Sequence, residues 1–230
     1  MREIVIDTET TGLDPKDGHR IVEVGAIELF ERVPTGRQLH LYVNPGRPVP
    51  PEAEKVHGLS DAFLADKPGF PEVALDLLAF IADSPLVAHN AIFDWRFLNF
   101  ELETAGAEGL PFARMVDTVE IARKRLPGAK HSLDALCQRF GIDLSRRVHH
   151  GALLDAELLA AVYVELMGGR QMGLDLLVAE AGARAARERR FHPPRAFAVP
   201  EAELAAHAAF VAGIPGAIWL QQGPDGAPLP

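Results

Sequence analysis

The chain has 230 residues, 48% of them hydrophobic and 24% charged, enough for one full-sized core with residues to spare. No apolar run approaches the roughly 20 residues a membrane span needs, which excludes a helical membrane protein. A net charge of −9 argues against a protein that coats nucleic acid by long-range attraction, yet it leaves room for carboxylates that hold divalent cations.

The predicted elements begin at once. Glu3 to Asp7 alternates and is β-rich, so a first strand ends at Asp7. This start lacks the long apolar stretch of a signal peptide, and a single cysteine, Cys137, suits a reducing cytoplasm and buried packing. Thr11 to Gly18 is dense in turn formers. Arg20 to Phe30 and Arg37 to Val43 read as two further strands joined by a turn at Pro34-Thr-Gly36. After a proline-rich loop over Asn44 to Pro51, the spacing of Val73, Leu77, Leu78 and Ile81 predicts a helix over Pro71 to Ala82. Pro85 to His89 is a short apolar strand, and Asn90 is the expected N-cap of a helix from Ala91 to about Ala105. Met115 to Asp117 is another short strand. Ser132 caps a helix that stops at Gly141, and Ala152 to Met167 forms a last amphipathic helix before Gly168-Gly169. Three meandering strands followed by strands alternating with helices indicate an α/β domain with a mixed sheet covered by helices.

Beyond Gly169 the character changes. Leu177 to Val199 is rich in Ala and Arg, contains Pro193-Pro194 and offers little material for a core, so it reads as a linker that permits a transient helix up to Arg190. Glu201 to Leu220 regains an apolar pattern, and Gln221 to Pro230 has the composition of a disordered end.

Three short segments carry chemistry. Asp7-Thr-Glu9 puts two carboxylates at i and i+2, on one face of a strand, where they suit a hard cation that prefers oxygen ligands. Asp94 stands among Ile92, Phe93, Trp95 and Phe97, where burying an acid is costly unless something pairs with it. In His149-His150-Gly-Ala-Leu-Leu-Asp155, five residues is the wrong spacing for one helix face. It fits a histidine on the loop before a helix, reaching over a carboxylate in the first turn. Each segment alone has an ordinary structural explanation, as a solvated strand end, a surface acid or a structural His–Asp pair.

Taken together, Asp7-x-Glu9, Asp94 and His150 with Asp155 resemble the motifs of the DEDDh exonucleases, which have the ribonuclease H-like fold. The similarity extends through Ile6-Asp-Thr-Glu-Thr-Thr-Gly12, Val56-His-Gly58, His89-Asn-Ala91, Ser132-Leu-Asp-Ala-Leu-Cys137 and His150-Gly-Ala-Leu-Leu-Asp155. It is nearest to the proofreading members of the family and covers Arg2 to about Gly169. It implies a mixed five-stranded sheet flanked by helices, with a flexible C-terminal tail. It also implies 3′→5′ hydrolysis by two Mg²⁺ or Mn²⁺ ions held, directly or through water, by Asp7, Glu9, Asp94 and Asp155. His150 would be the general base, because an imidazole titrating near pH ~6.5 suits that task, whereas His149 reads as exposed loop. The same resemblance makes Asp7, Thr8, Glu9, Thr10, Glu52, His57, His89 and Asp155 candidate contacts to a single-stranded or frayed 3′ DNA end. Glu52 and His57 would grip the terminal nucleoside, and for His89 and Asp117 packing or support of the ligands stands beside direct contact.

In the tail, Gln171, Leu174 and Leu176 resemble the short peptides that partner proteins insert into the β sliding clamp. His207 and Ile218-Trp219-Leu220 resemble the segment that binds the catalytic subunit of the replicative polymerase. The expected division is therefore a catalytic domain over 1–169, a clamp motif and linker over 170–200, and a polymerase-binding segment over 201–230. A free-standing nuclease for RNA or repair DNA would share the catalytic residues and differ in the tail. A bridging module without activity fits poorly, because all five catalytic positions are filled.

Overall fold

The computed structural model describes residues 1–145, 147, 149–169 and 198–217. The chain divides into two units, Met1–Leu177 and Val178–Pro230. The first carries a five-stranded sheet in the order β3-β2-β1-β4-β5. Its strands are β1 (Arg2–Thr10), β2 (Ile21–Phe30), β3 (Val33–Tyr42), β4 (Leu86–Ala88) and β5 (Met115–Asp117). The β1–β2 and β2–β3 pairs are antiparallel, while β1–β4 and β4–β5 are parallel, so the sheet is mixed as expected.

Among the described residues, seven α-helices belong to this unit: α1 (Pro51–His57), α2 (Asp61–Leu64), α3 (Phe70–Ile81), α4 (Ala91–Thr104), α5 (Thr118–Arg125), α6 (Leu133–Phe140) and α7 (Ala152–Leu166). The period-2 alternation of β1 sorts them into two layers. Ile4 and Ile6 pack with Leu77 and Ile81 of α3 and with Phe97, Leu98 and Leu102 of α4. Val5 and Val87 face the other way, onto Leu136 and Cys137 of α6 and Leu159, Val162 and Leu166 of α7. Cys137 is buried, as its apolar surroundings predict.

Several local expectations are corrected. β1 runs on to Thr10, so Asp7-Thr-Glu9 lies inside the strand. Its parallel partner β4 pairs only with Ile4 and Val5, so beyond Val5 one edge of β1 is open. The β2–β3 connection is Glu31-Arg32, both at positive φ (50° and 63°), and not Pro34-Thr-Gly36. Two consecutive left-handed residues match the strand twist of a two-residue hairpin, while Pro34-Gly36 falls where the ladder shifts register, a bulge tolerated on an edge strand. Asn90 precedes α4 in the left-handed region and its side chain caps nothing. The Asp117 carboxylate does that work, accepting from the backbone N–H of Asn90 and of Ala91, both at 3.2 Å. Helices α1, α2 and α5 go beyond the elements the sequence predicts.

Two contacts fix α7 on the sheet. A Cβ on Gly25 would stand 2.2 Å from the Ala152 carbonyl carbon and the Leu153 nitrogen, so only glycine lets the first turn of α7 lie directly on β2. The buried Glu23 side chain accepts from the Ala152 N–H at 3.1 Å, satisfying one orphan donor of that helix and placing a negative charge at its positive end. On the other layer, Glu101 of α4 is 1% exposed and accepts from Arg20 Nε at 2.7 Å, Arg20 Nη2 at 2.5 Å and the Ile21 N–H at 3.1 Å.

In the second unit the described residues form one helix, α8 (Glu201–Ala212), with Leu204 and Phe210 exposed. His207 lies on α8 and is exposed. Gln171, Leu174, Leu176, Ile218, Trp219 and Leu220 lie outside the described residues. No helix among the described residues is long and apolar enough to cross a membrane.

Candidate active site

The parallel strands β1, β4 and β5 deliver Asp7-Thr-Glu9, His89 and Asp117 to their carboxyl ends, the edge of an open α/β sheet where ligands characteristically bind. The first turns of α4 and α7 bring Asp94 and Asp155 to the same edge, both buried. Thr8 points to the α4 side, and its hydroxyl donates to Asp94 Oδ1 at 2.8 Å, tying the first motif to the second. On the α7 side, Glu9, His150 and Asp155 each offer a ligand atom within 4.8 Å of the others. His150 Nδ1 lies 3.4 Å from Asp155 Oδ2, so the histidine does reach over the carboxylate in the first turn of the following helix.

The electrostatics show how crowded this edge is. Burial, and then the charges of Asp94, Glu9, Asp155 and Glu23, hold the Asp7 carboxyl well above the usual carboxylate range. Burial, followed by the charges of Asp155, Glu23 and Asp94, pushes Glu9 up to about 8. Asp94 rises to about 7, chiefly from burial and against the hydrogen bond from Thr8. Rich in carboxylate oxygens crowded together in buried surroundings, this donor set fits hard divalent cations.

Around it, the loop before α7 docks on α1. The His150 N–H donates to the Val56 carbonyl at 3.0 Å, and the His149 ring lies beside Gly58. His57, at the end of α1, is buried; its Nδ1 accepts from the Leu59 N–H at 3.0 Å, so the ring proton is on Nε2. That Nε2 is the one buried side-chain polar atom among the described residues without a partner. Desolvation lowers the His57 pKa, so the ring is a neutral donor. Glu52 stands exposed on α1. The Thr10 hydroxyl donates to the Gly12 carbonyl at 2.6 Å and serves the turn after β1. His89 Nδ1 is 2.9 Å from the Thr118 hydroxyl, which donates to the Ala88 carbonyl; with Asp117 on the α4 N-terminus, both residues hold the ends of β4 and α4.

The sequence did not single out Arg147 or Glu23. Arg147 Nε donates to Asp155 Oδ1 at 2.6 Å, and its Nη2 donates to Asp155 Oδ2 and, at 2.8 Å, to His150 Nδ1. Nothing in the Arg146-Arg147 pair marks this. Glu23 did leave a signal, as an acid inside the apolar run Ile21 to Leu29. Besides Ala152 it meets His40 Nε2 at 2.6 Å, and it pairs with Glu9 across the β1–β2 ladder. Among the described residues, one surface depression, about 290 Å³ between Asn44, Arg47, Asp61 and Leu64, is lined by none of Asp7, Glu9, Asp94 and Asp155. Another, about 200 Å³, is lined by Asp134, Leu144, Arg147, His149 and His150, at the mouth of the site.

Comparison with known proteins agrees with this geometry. The family model described as Exonuclease, of the RNase T type, matches residues 4–163. The "DNA polymerase III subunit epsilon" of Rickettsia conorii is 55% identical over 180 residues, 77% of this chain and 78% of that protein. The protein of the same name from Escherichia coli K12 is 46% identical over 177 residues, 74% of this chain and 72% of its own length. Among solved structures, "Exonuclease X in complex with 5′ overhanging duplex DNA" is 30% identical with a TM-score of 0.57, covering 71% of this chain and 90% of that one. The nuclease domain of 3′hExo, described as a DEDDh family member bound to rAMP, shares the fold at 18% identity and a TM-score of 0.63 over 72% of this chain and 91% of its own. The chain belongs to the exonuclease family, among the DEDDh enzymes, in the group of the bacterial DNA polymerase III epsilon subunits.

Proposed function

We propose that this protein is the proofreading 3′→5′ exonuclease of a replicative DNA polymerase, hydrolysing the terminal phosphodiester of a single-stranded or frayed 3′ end. The observation that carries the reading is the meeting of Asp7, Glu9, Asp94, Asp155 and His150 at one sheet edge from three separated segments. Asp7, Glu9, Asp94 and Asp155 would hold two Mg²⁺ or Mn²⁺ ions, which when bound stabilise the attacking and leaving oxygens of the scissile phosphate. Thr8 fixes Asp94 so that this carboxylate keeps its place when the charges around it change. His150 takes the proton of the attacking water; it is half exposed, on a loop that α1 braces.

End specificity falls to α1. The partnerless His57 Nε2–H is a donor waiting for an acceptor on the terminal nucleotide, and the exposed Glu52 would accept from the 3′-hydroxyl. Thr8 and Thr10 lie on the strand that carries Asp7 and Glu9, on either side of Glu9, while His89 orients the elements behind them. Mismatched ends separate more readily than paired ones, so a site for unpaired strands favours errors without reading sequence. Residues 1–169 do this chemistry. Gln171, Leu174 and Leu176 attach to the sliding clamp, and His207 with Ile218, Trp219 and Leu220 attach to the polymerase subunit, alongside the replication machinery in the bacterial cytoplasm.

The test is release of nucleotides from a 5′-labelled single strand with Mg²⁺, with Mn²⁺ and with a chelator. Activity should need the ion and should vanish in Asp7→Ala, Glu9→Ala, Asp94→Ala and Asp155→Ala while each variant stays folded. Full activity in the chelator would overturn the metal mechanism.

A further inference from the structure

The guanidinium of Arg147 is a positive charge that sits on the candidate ligands themselves. Its fork closes on both oxygens of Asp155, its Nη2 also reaches His150 Nδ1, and its Nη1 meets the Asp134 carboxylate of α6. The side chain is 9% exposed and the Asp155 side chain 5%. Arg147 also lowers the cost of ionising Glu9.

Two consequences follow from this fork. A guanidinium has only donors; it takes one lone pair on each Asp155 oxygen and sets a positive charge against both, so a cation that binds them has to push a like charge aside. For the same reason His150 Nδ1 is an acceptor at 2.8 Å, which leaves the ring proton on Nε2. Neither nitrogen then has a lone pair free for a water molecule. We propose that Arg147 is a positioning residue that competes with divalent metal for Asp155, so that one displacement both opens the metal site and frees His150 to act as a base. This rests on the metal site proposed above.

The surroundings suit such a movement. Asp134 is about half exposed and remains as an anchor when Asp155 is given up. The 200 Å³ depression lined by Asp134, Leu144, His149 and His150 borders the guanidinium and gives it somewhere to go. Competition keeps Asp155 paired when metal is scarce, and it sets a threshold metal concentration for activity.

The experiment is calorimetric Mn²⁺ titration of the full-length protein, wild type against Arg147→Gln and Arg147→Lys. In parallel, ring-nitrogen NMR of His150 follows Mg²⁺ addition. Lysine keeps the charge but cannot close a planar fork on Asp155 while reaching His150. Both variants should bind Mn²⁺ on the order of tenfold more tightly, as a lost competing bond of ordinary charge-assisted strength implies. In chelator, His150 should show the Nε2–H tautomer in wild type and a mixture in both variants. Tighter binding by Arg147→Gln alone would mean that Arg147 acts only as a distant charge, and unchanged affinity in both would remove it from the site; either result overturns the proposal. Absence of Mn²⁺ binding by the wild type would overturn the metal site itself, which is a different failure.

Discussion

Glu9→Gln should stabilise the protein in chelator and destroy it as an enzyme, with a pH dependence that identifies the cause. Glu9 is half-buried, faces Glu23 across the ladder and lies near Asp155 and Asp94, and its carboxyl is pushed from 4.5 up to about 8. A folded-state pKa above the unfolded one costs nothing below pH 4.5. The cost grows as pH rises towards 8, because folding must then protonate a carboxylate that the unfolded chain holds ionised. At about 1.36 kcal/mol per tenfold change in the protonation equilibrium, the displacement sets a ceiling of about 5 kcal/mol. Residual solvent access and the Arg147 charge reduce the expected gain to about 1–3 kcal/mol at pH 8, falling to almost nothing at pH 5. Urea denaturation in chelator, wild type against Glu9→Gln across pH 5–8, measures this. In saturating Mn²⁺ the order should reverse, since a ligand at about 100 times its Kd contributes about 2.7 kcal/mol to whichever protein binds it. A variant less stable than wild type at pH 8 in chelator, or a gain that does not change with pH, would refute the account of charge crowding.

His150→Ala should lower single-turnover cleavage by about 10²–10⁴-fold with metal affinity changed less, whereas His149→Ala should be nearly silent; equal losses would mean the base is assigned to the wrong histidine. Arg20→Ala leaves the Glu101 carboxylate buried without its ion-pair partner and should cost about 3–5 kcal/mol in urea denaturation. A chain ending at Gly169 should cleave free single strands normally and fail to co-elute with the polymerase subunit on size exclusion. Gln171→Ala with Leu174→Ala should weaken clamp binding alone, and Trp219→Ala with Leu220→Ala polymerase binding alone. Full-strength polymerase binding by the truncated chain would place the attachment on the catalytic domain.

The elements legible in the sequence were those whose apolar period and end signals agree. Helix α6 has Ser132 accepting from the Ala135 N–H and Gly141 at φ 68°, and it runs between those two residues as read. Helix α1 was hidden because Pro50-Pro51 reads as a breaker, although proline at the first helical position is preorganised for a start. Helix α5, Thr-Val-Glu-Ile-Ala-Arg-Lys-Arg, is too polar to show a periodic face; its real signals are Asp117 as the cap and three basic residues in the last turn. The hairpin turn is not legible because Glu31-Arg32 carries no glycine or asparagine to advertise positive φ. In the site, the five motif residues were visible as residue types that have to meet. What holds them was not: Thr8 on Asp94, Asp117 on α4 and Arg147 on Asp155 are contacts between segments distant in sequence or on irregular loops, and no local pattern encodes them. Gly25 is of the same kind, since only the α7 backbone above it explains why a strand interior needs a glycine.

The distance along the chain between the carboxylates has a consequence during synthesis. The β1–β3 meander and its Asp7-Glu9 pair are complete within the first 42 residues, but Thr8 meets Asp94 across 86 positions and Asp155 arrives only with the final helix of the unit. At roughly 5–20 residues per second, a ribosome takes several seconds to tens of seconds to add the segment that separates them. Through that interval the emerging polypeptide displays an incomplete cluster of acids with no second wall to face it. A hydrolase for nucleic acid is thus made beside messenger and ribosomal RNA without a working cleft until its last packed helix has closed over the sheet.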